Sequence, residues 1–114
     1  MELTYASYLR IPQLLSLQVP ESDGPEHDEM LFIIIHQVYE LWFKQQIHES
    51  EGLRHRLDAG DLDGAATTLD RILTILKTMV KQIDILETMT PVSFLSFRSF
   101  LANSSGFQSA QFRE

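Results

Sequence analysis

The sequence predicts an all-α fold, and three observations carry that prediction. From about Glu26 to Leu57 the chain reads as one long helix with no interrupting proline. From about 63 to 88 apolar residues recur at three- and four-residue spacing, the signature of an amphipathic helix. No stretch alternates apolar and polar residues with the period of two that a half-buried strand requires. The connections are short, which makes the long helices antiparallel neighbours. At 114 residues the chain has the length of one ordinary domain, so residues 1–114 are read as a single helical domain.

Each element follows from local chemistry. Residues 1–19 are mixed, and Pro12 suits a first helical turn, so a short helix is expected near 12–18. Val19 to Asp28 carries Pro20, Gly24 and Pro25 and reads as a loop. Glu26, Asp28 and Glu29 crowd the start of the long helix, where negative charge suits the helix dipole. Gly52 is its weak point, and at 1.5 Å per residue it spans about 45 Å. Asp58 to Gly64 reads as a turn. In the helix over 63–88, Leu69, Ile72, Leu73, Leu76, Met79, Val80, Ile83 and Leu86 form the apolar stripe. Thr90 and Pro91 have the residue types of an N-cap and first helical position, opening a short helix to about Leu101. Asn103 to Gly106 is a polar loop, and Phe107 to Glu114 reads as the opening turns of another helix.

Two features do not suit a self-contained small bundle. Met30 to Ile35 is apolar on every face, and such a helix is expected to be buried all round. The last predicted helix has neither a capping glycine nor a following proline. Both lead us to expect a piece of a larger fold or a tightly assembled oligomer, incomplete at its C-terminal side.

Composition excludes several functions. Nine Lys and Arg against sixteen Asp and Glu give a formal charge of −7. That balance argues against nucleic acid or an anionic membrane surface as partner, because phosphate binding needs clustered cations. The absence of cysteine removes disulfides, cysteine-based zinc or iron–sulfur sites and cysteine nucleophiles. The apolar run at Met30 is far too short for a membrane span, and no basic leader precedes it, so a soluble cytoplasmic protein is expected.

Few residues carry candidate chemistry. Phe32 and His36 are four apart and project from one helix face beside the apolar run. Phe94 and Arg98 share the same spacing; an aromatic and a guanidinium fork can hold a planar ligand and its carboxylate. Each pair has an ordinary structural reading as well: a hydrogen-bonded core histidine, and an arginine stem packed on Phe94. Ser104, Ser105 and Gly106 add hydroxyls and a permissive backbone, as serine-rich caps also do. The Glu-x-x-His of di-iron bundles is missing, and His48, Glu49, Glu51 and His55 read as a solvated face.

The string His27-Asp28-Glu29-Met30-Leu31-Phe32-Ile33, then His36-Gln37 and Glu40-Leu41-Trp42-Phe43-Lys44, resembles the tryptophan 2,3-dioxygenase family. So do Leu3-Thr4-Tyr5 with Tyr8-Leu9, Thr90-Pro91, Phe97-Arg98 and Ser104-Ser105-Gly106-Phe107-Gln108-Ser109. The resemblance runs through essentially the whole chain. It implies a helical, homotetrameric dioxygenase with haem b that inserts O2 into the indole ring of L-tryptophan, giving N-formyl-L-kynurenine in tryptophan catabolism. Carried over residue by residue, it implies that Phe32 packs on the indole and that His36 is the distal histidine facing its N–H. Phe94 lines the same pocket and Arg98 clamps the substrate carboxylate. Ser105 and Gly106 lie against the haem. Tyr5, Tyr8 and Leu9 reach a neighbouring subunit's pocket. The family's iron-ligating histidine falls beyond position 114, so this chain is expected to supply no metal ligand. Ala6 stands where the family often has glycine, and Phe94 lacks the hydroxyl of members with tyrosine there. A second reading shares every motif: a truncated, non-catalytic helical oligomerisation module unable to hold haem alone.

Overall fold

The computed structural model describes residues 2–23, 26–91, 94 and 109–114. Four helices follow in order: α1 Tyr5–Leu9, α2 Ile11–Leu14, α3 His27–Asp58 and α4 Leu62–Leu86. The fold is all-α, with no strand among the described residues. Its body is the antiparallel hairpin of α3 and α4.

The hairpin turn is built by local chemistry. Gly60 takes a left-handed φ of 73°, and Asp61 donates its N–H to Arg56 O at 2.9 Å while Gly60 donates to Leu57 O at 3.1 Å. This pair of bonds satisfies the last carbonyls of α3, and glycine is the residue that adopts the required φ without a Cβ penalty. Asp61 then caps α4, its Oδ1 accepting from Gly64 N–H at 3.0 Å. Arg56 donates to Gly64 O at 3.1 Å and ties the two helix ends together.

Along α4 the residues turned from solvent are Ala65, Thr68, Ile72, Ile75, Met79, Gln82 and Leu86, alternately three and four apart. That is the spacing of a seam between two nearly antiparallel helices. The apolar stripe expected from the sequence therefore splits. Ile72, Met79 and Leu86 face α3, whereas Leu69, Leu73, Leu76, Val80 and Ile83 form a second row that stays 46–60% exposed. The seam is more polar than a coiled-coil core. Tyr39 Oη donates to Met79 O at 2.6 Å, and Gln46 Nε2 donates to Ile72 O at 2.9 Å. Both pairs step seven residues in opposite directions, so they fix one register. Burial pushes the Tyr39 hydroxyl above its ordinary pKa, which keeps it a donor.

Three expectations are corrected here. Glu49 is not part of a solvated face; it is buried on the seam, accepting from Gln45 at 2.9 Å and from the Arg71 guanidinium at 3.3 Å. His48, Glu51 and His55 are exposed as expected. The run at Met30 is, as expected, not enclosed by the described residues: Ile35 is 5% exposed, but Met30 and Ile34 are 40% and 41%, because α4 covers only one side of α3. At the N-terminus the expected helix at 12–18 is replaced by two short ones. Thr4 and Ser7 form a reciprocal capping box that starts α1, and Arg10, left-handed at φ 55°, ends it. Pro12 does sit in the first turn of α2. Residues 109–114 form hydrogen-bonded turns rather than a regular helix. The remainder of the helix expected to Leu101, and the Asn103 to Gly106 loop, lie outside the described residues.

The loop before α3 is held from within. Glu29 is fully buried, and its carboxylate accepts from Glu21 N–H at 2.8 Å, Ser22 N–H at 3.2 Å and the Ser22 hydroxyl at 2.5 Å. Burial alone would raise its pKa, but these donors outweigh it and hold the carboxyl below the ordinary 4.5.

Two predictions follow from these contacts. Because Glu29 has a depressed pKa in the fold, its contribution is fully present above the ordinary carboxylate value and is lost as pH falls through the lower folded value. Urea unfolding of the native chain and Glu29→Gln should therefore differ most near neutrality, and the difference should shrink as pH falls below the ordinary carboxylate value. On the seam, Met79→Ala should cost about 2–4 kcal/mol through cavity formation. Tyr39→Phe should cost only about 1 kcal/mol, since it removes one hydrogen bond and leaves the packing. Chemical denaturation of both variants checks the order.

Candidate active site

The seam register brings the start of α3 beside the end of α4. Phe32 and His36, one turn apart on α3, meet Leu86, Met89, Thr90, Pro91 and Phe94 around an open cleft of about 350 Å³. The Phe32 ring lies 4.4 Å from the His36 ring and 5.8 Å from that of Phe94, tilted by 39° and 37°. Such tilted aromatic contacts are favourable and hold the rings in place. Phe94 enters the cleft because its N–H donates to Thr90 O at 3.1 Å, forming the helical turn expected after Thr90 and Pro91.

Among its described lining residues the cleft is an apolar wall with one titratable group, His36. His36 Nδ1 lies 2.7 Å from Phe32 O, its own helix's carbonyl one turn back. A carbonyl oxygen can only accept, so Nδ1 carries the proton in this contact. In the neutral ring that leaves Nε2 as a lone-pair acceptor. The contact favours the Nδ1–H tautomer and this orientation of the ring.

Phe32, His36 and Phe94, predicted from the sequence, come together. Tyr5, Tyr8 and Leu9 do not join them; they sit on α1, exposed at 77%, 69% and 44%, and none lines the cleft. Arg98, Ser105 and Gly106 lie outside the described residues. Leu86 and Met89 were not predicted as site residues. In the sequence Leu86 is one more member of an apolar stripe, and only the register places it opposite Phe32.

Among the described residues the cleft is an apolar wall with one imidazole, which suits a planar apolar group. Among the described residues no group of three His, Asp or Glu could hold a metal ion. No helix among them is long and apolar enough to cross a membrane.

Comparison with known proteins identifies the relatives. A family model described as tryptophan 2,3-dioxygenase matches residues 1–114. A tryptophan 2,3-dioxygenase of Herpetosiphon aurantiacus is 62% identical over 112 residues, covering 98% of this chain and 43% of the relative. One from Anaeromyxobacter sp. strain K is 60% identical, covering 97% and 41%. One from Arthrobacter sp. strain FB24 is 49% identical, covering 97% and 39%. The chain spans about two-fifths of the length of these curated relatives. With the match running through all 114 residues and the cleft motifs in place, the chain belongs to the tryptophan 2,3-dioxygenase family.

Proposed function

We propose that this chain provides the distal wall of a haem-dependent dioxygenase that inserts O2 into the indole ring of L-tryptophan, giving N-formyl-L-kynurenine as the entry step of the kynurenine pathway. The observation that carries this reading is the 2.7 Å contact between His36 Nδ1 and Phe32 O. Its Nδ1–H is occupied by Phe32 O, so Nε2 is the acceptor that an indole N–H requires. Phe32 and Phe94 supply apolar ring faces on which a flat indole packs. Arg98, at its place in the family motif, would fix the substrate carboxylate through a two-pronged donor fork. His36 orients the substrate rather than deprotonating it, because an indole N–H is far too weak an acid for imidazole.

Haem b, held in part by Ser105 and Gly106, would bind and activate O2. The chain's own residues orient the indole, keep water from it and anchor the amino-acid end. Tyr5, Tyr8 and Leu9 are proposed to enter a neighbouring subunit's pocket in a homotetramer, which accounts for aromatic side chains left exposed on α1. The setting proposed is cytoplasmic, and residues 1–114 act as one helical domain.

A titration with L-tryptophan, followed by NMR of the Phe32, His36 and Phe94 rings, tests the cleft. Binding should weaken about tenfold in His36→Ala, the worth of one good hydrogen bond. Tryptophan methylated on the indole nitrogen should lose the same factor in the native chain and nothing further in His36→Ala. Equal affinity for both ligands in both proteins overturns the assigned role. A separate test concerns haem. A Soret band in the haem-supplemented chain, shifting with CO after reduction, supports a pocket competent in these 114 residues. Its absence favours the non-catalytic helical module for the chain alone.

A further inference from the structure

The N-terminal segment crosses the same turns of α3 that carry Phe32 and His36, and it is fastened on both sides of them. At one end the buried Glu29 carboxylate takes the Glu21 and Ser22 N–H groups and the Ser22 hydroxyl. At the other end Gln37 uses both halves of its amide. Its Nε2 donates to Leu17 O at 3.0 Å, and its Oε1 accepts from Gln18 Nε2 at 2.9 Å. Gln18 Nε2 also donates to Leu14 O at 2.9 Å, which links this end back to α2.

The first turn of α3 is tied to the loop before it. Glu29 reverses the usual arrangement: a residue in the first turn takes the backbone donors of the preceding loop, joining loop and helix into one unit. The Phe32 carbonyl that fixes His36 lies one turn further on.

We propose that Glu29 and Gln37 form a two-point clasp that straps residues 17–22 across the start of α3. The clasp sets both the path of the N-terminal arm and the orientation of Phe32 and His36. Glu29 and Gln37 are positioning residues, acting through the strap and the first turns of α3. The proposal stands whether or not the ligand of the cleft is tryptophan, because its test uses no ligand.

Residue-resolved amide exchange on the 114-residue chain is the measurement, with α4 as internal reference. In Glu29→Ala the Glu21 and Ser22 amides should exchange at least about tenfold faster while α4 amides stay unchanged. The ring nitrogen shifts of His36 should move away from the Nδ1–H tautomer. Gln37→Ala should speed exchange over residues 17–22 by a smaller factor, with the same direction of change at His36. Glu29→Gln keeps the size and removes the charge, and serves if the alanine variant does not fold; it should reproduce the loosening in part. Glu21 and Ser22 rates within about twofold of the native chain in every Glu29 variant overturn the clasp. Loosening of the strap with His36 signals unmoved overturns its positioning role. No change in Gln37→Ala overturns the second point of attachment.

Discussion

The level at which α3 meets α4 decides where the cleft of this molecule forms. Two side chains of α3, Tyr39 and Gln46, reach across to backbone carbonyls of α4, at Met79 and Ile72. Helix-to-helix contacts made only of aliphatic side chains can slide by a turn at modest cost, since one apolar row resembles the next. A hydrogen bond to a named carbonyl cannot slide. A matched pair about 10 Å apart along both helices also fixes their relative direction. The turn at Gly60 and Asp61 closes the hairpin in the same register, with Arg56 joined to Gly64.

From that register the cleft follows. Phe32 lies near Leu86, and the chain leaving α4 turns back at Thr90 to bring Phe94 onto Phe32. His36 packs on Phe32, and its Nδ1 lies against the Phe32 carbonyl one turn before it. The site is therefore built from a helix start, a helix end and one returning turn. Its rigidity is borrowed from the long hairpin beneath it.

Much of this was legible in the sequence. Proline-free length and acidic start give α3, and its observed bounds lie within a residue or so of the expected ones. The Asp and Gly residues between the helices announce the turn. The spacing of Phe32 and His36 places them on one face of any helix, and Thr90 with Pro91 marks the turn that carries Phe94. What was not legible has two causes. Glu49 looks like its charged neighbours until the seam is drawn through it, and burial follows from helix rotation rather than residue type. The capping of α1 by Thr4 and Ser7 is a weak local signal, since the more usual partner of a capping threonine is glutamate or glutamine.

By itself the sequence determined the helical class, the long elements, the turn between them and the pairing of an aromatic with a histidine on one face. These depend on neighbours within a few positions, and chain chemistry at that range is the same in any fold. Only the tertiary structure decided which of two apolar rows on α4 faces α3, that Leu86 and Met89 belong to the cleft, and that Glu29 and Gln37 hold the segment before α3. Those facts join residues up to forty positions apart, as Tyr39 and Met79 are, and no local preference encodes the distance between them.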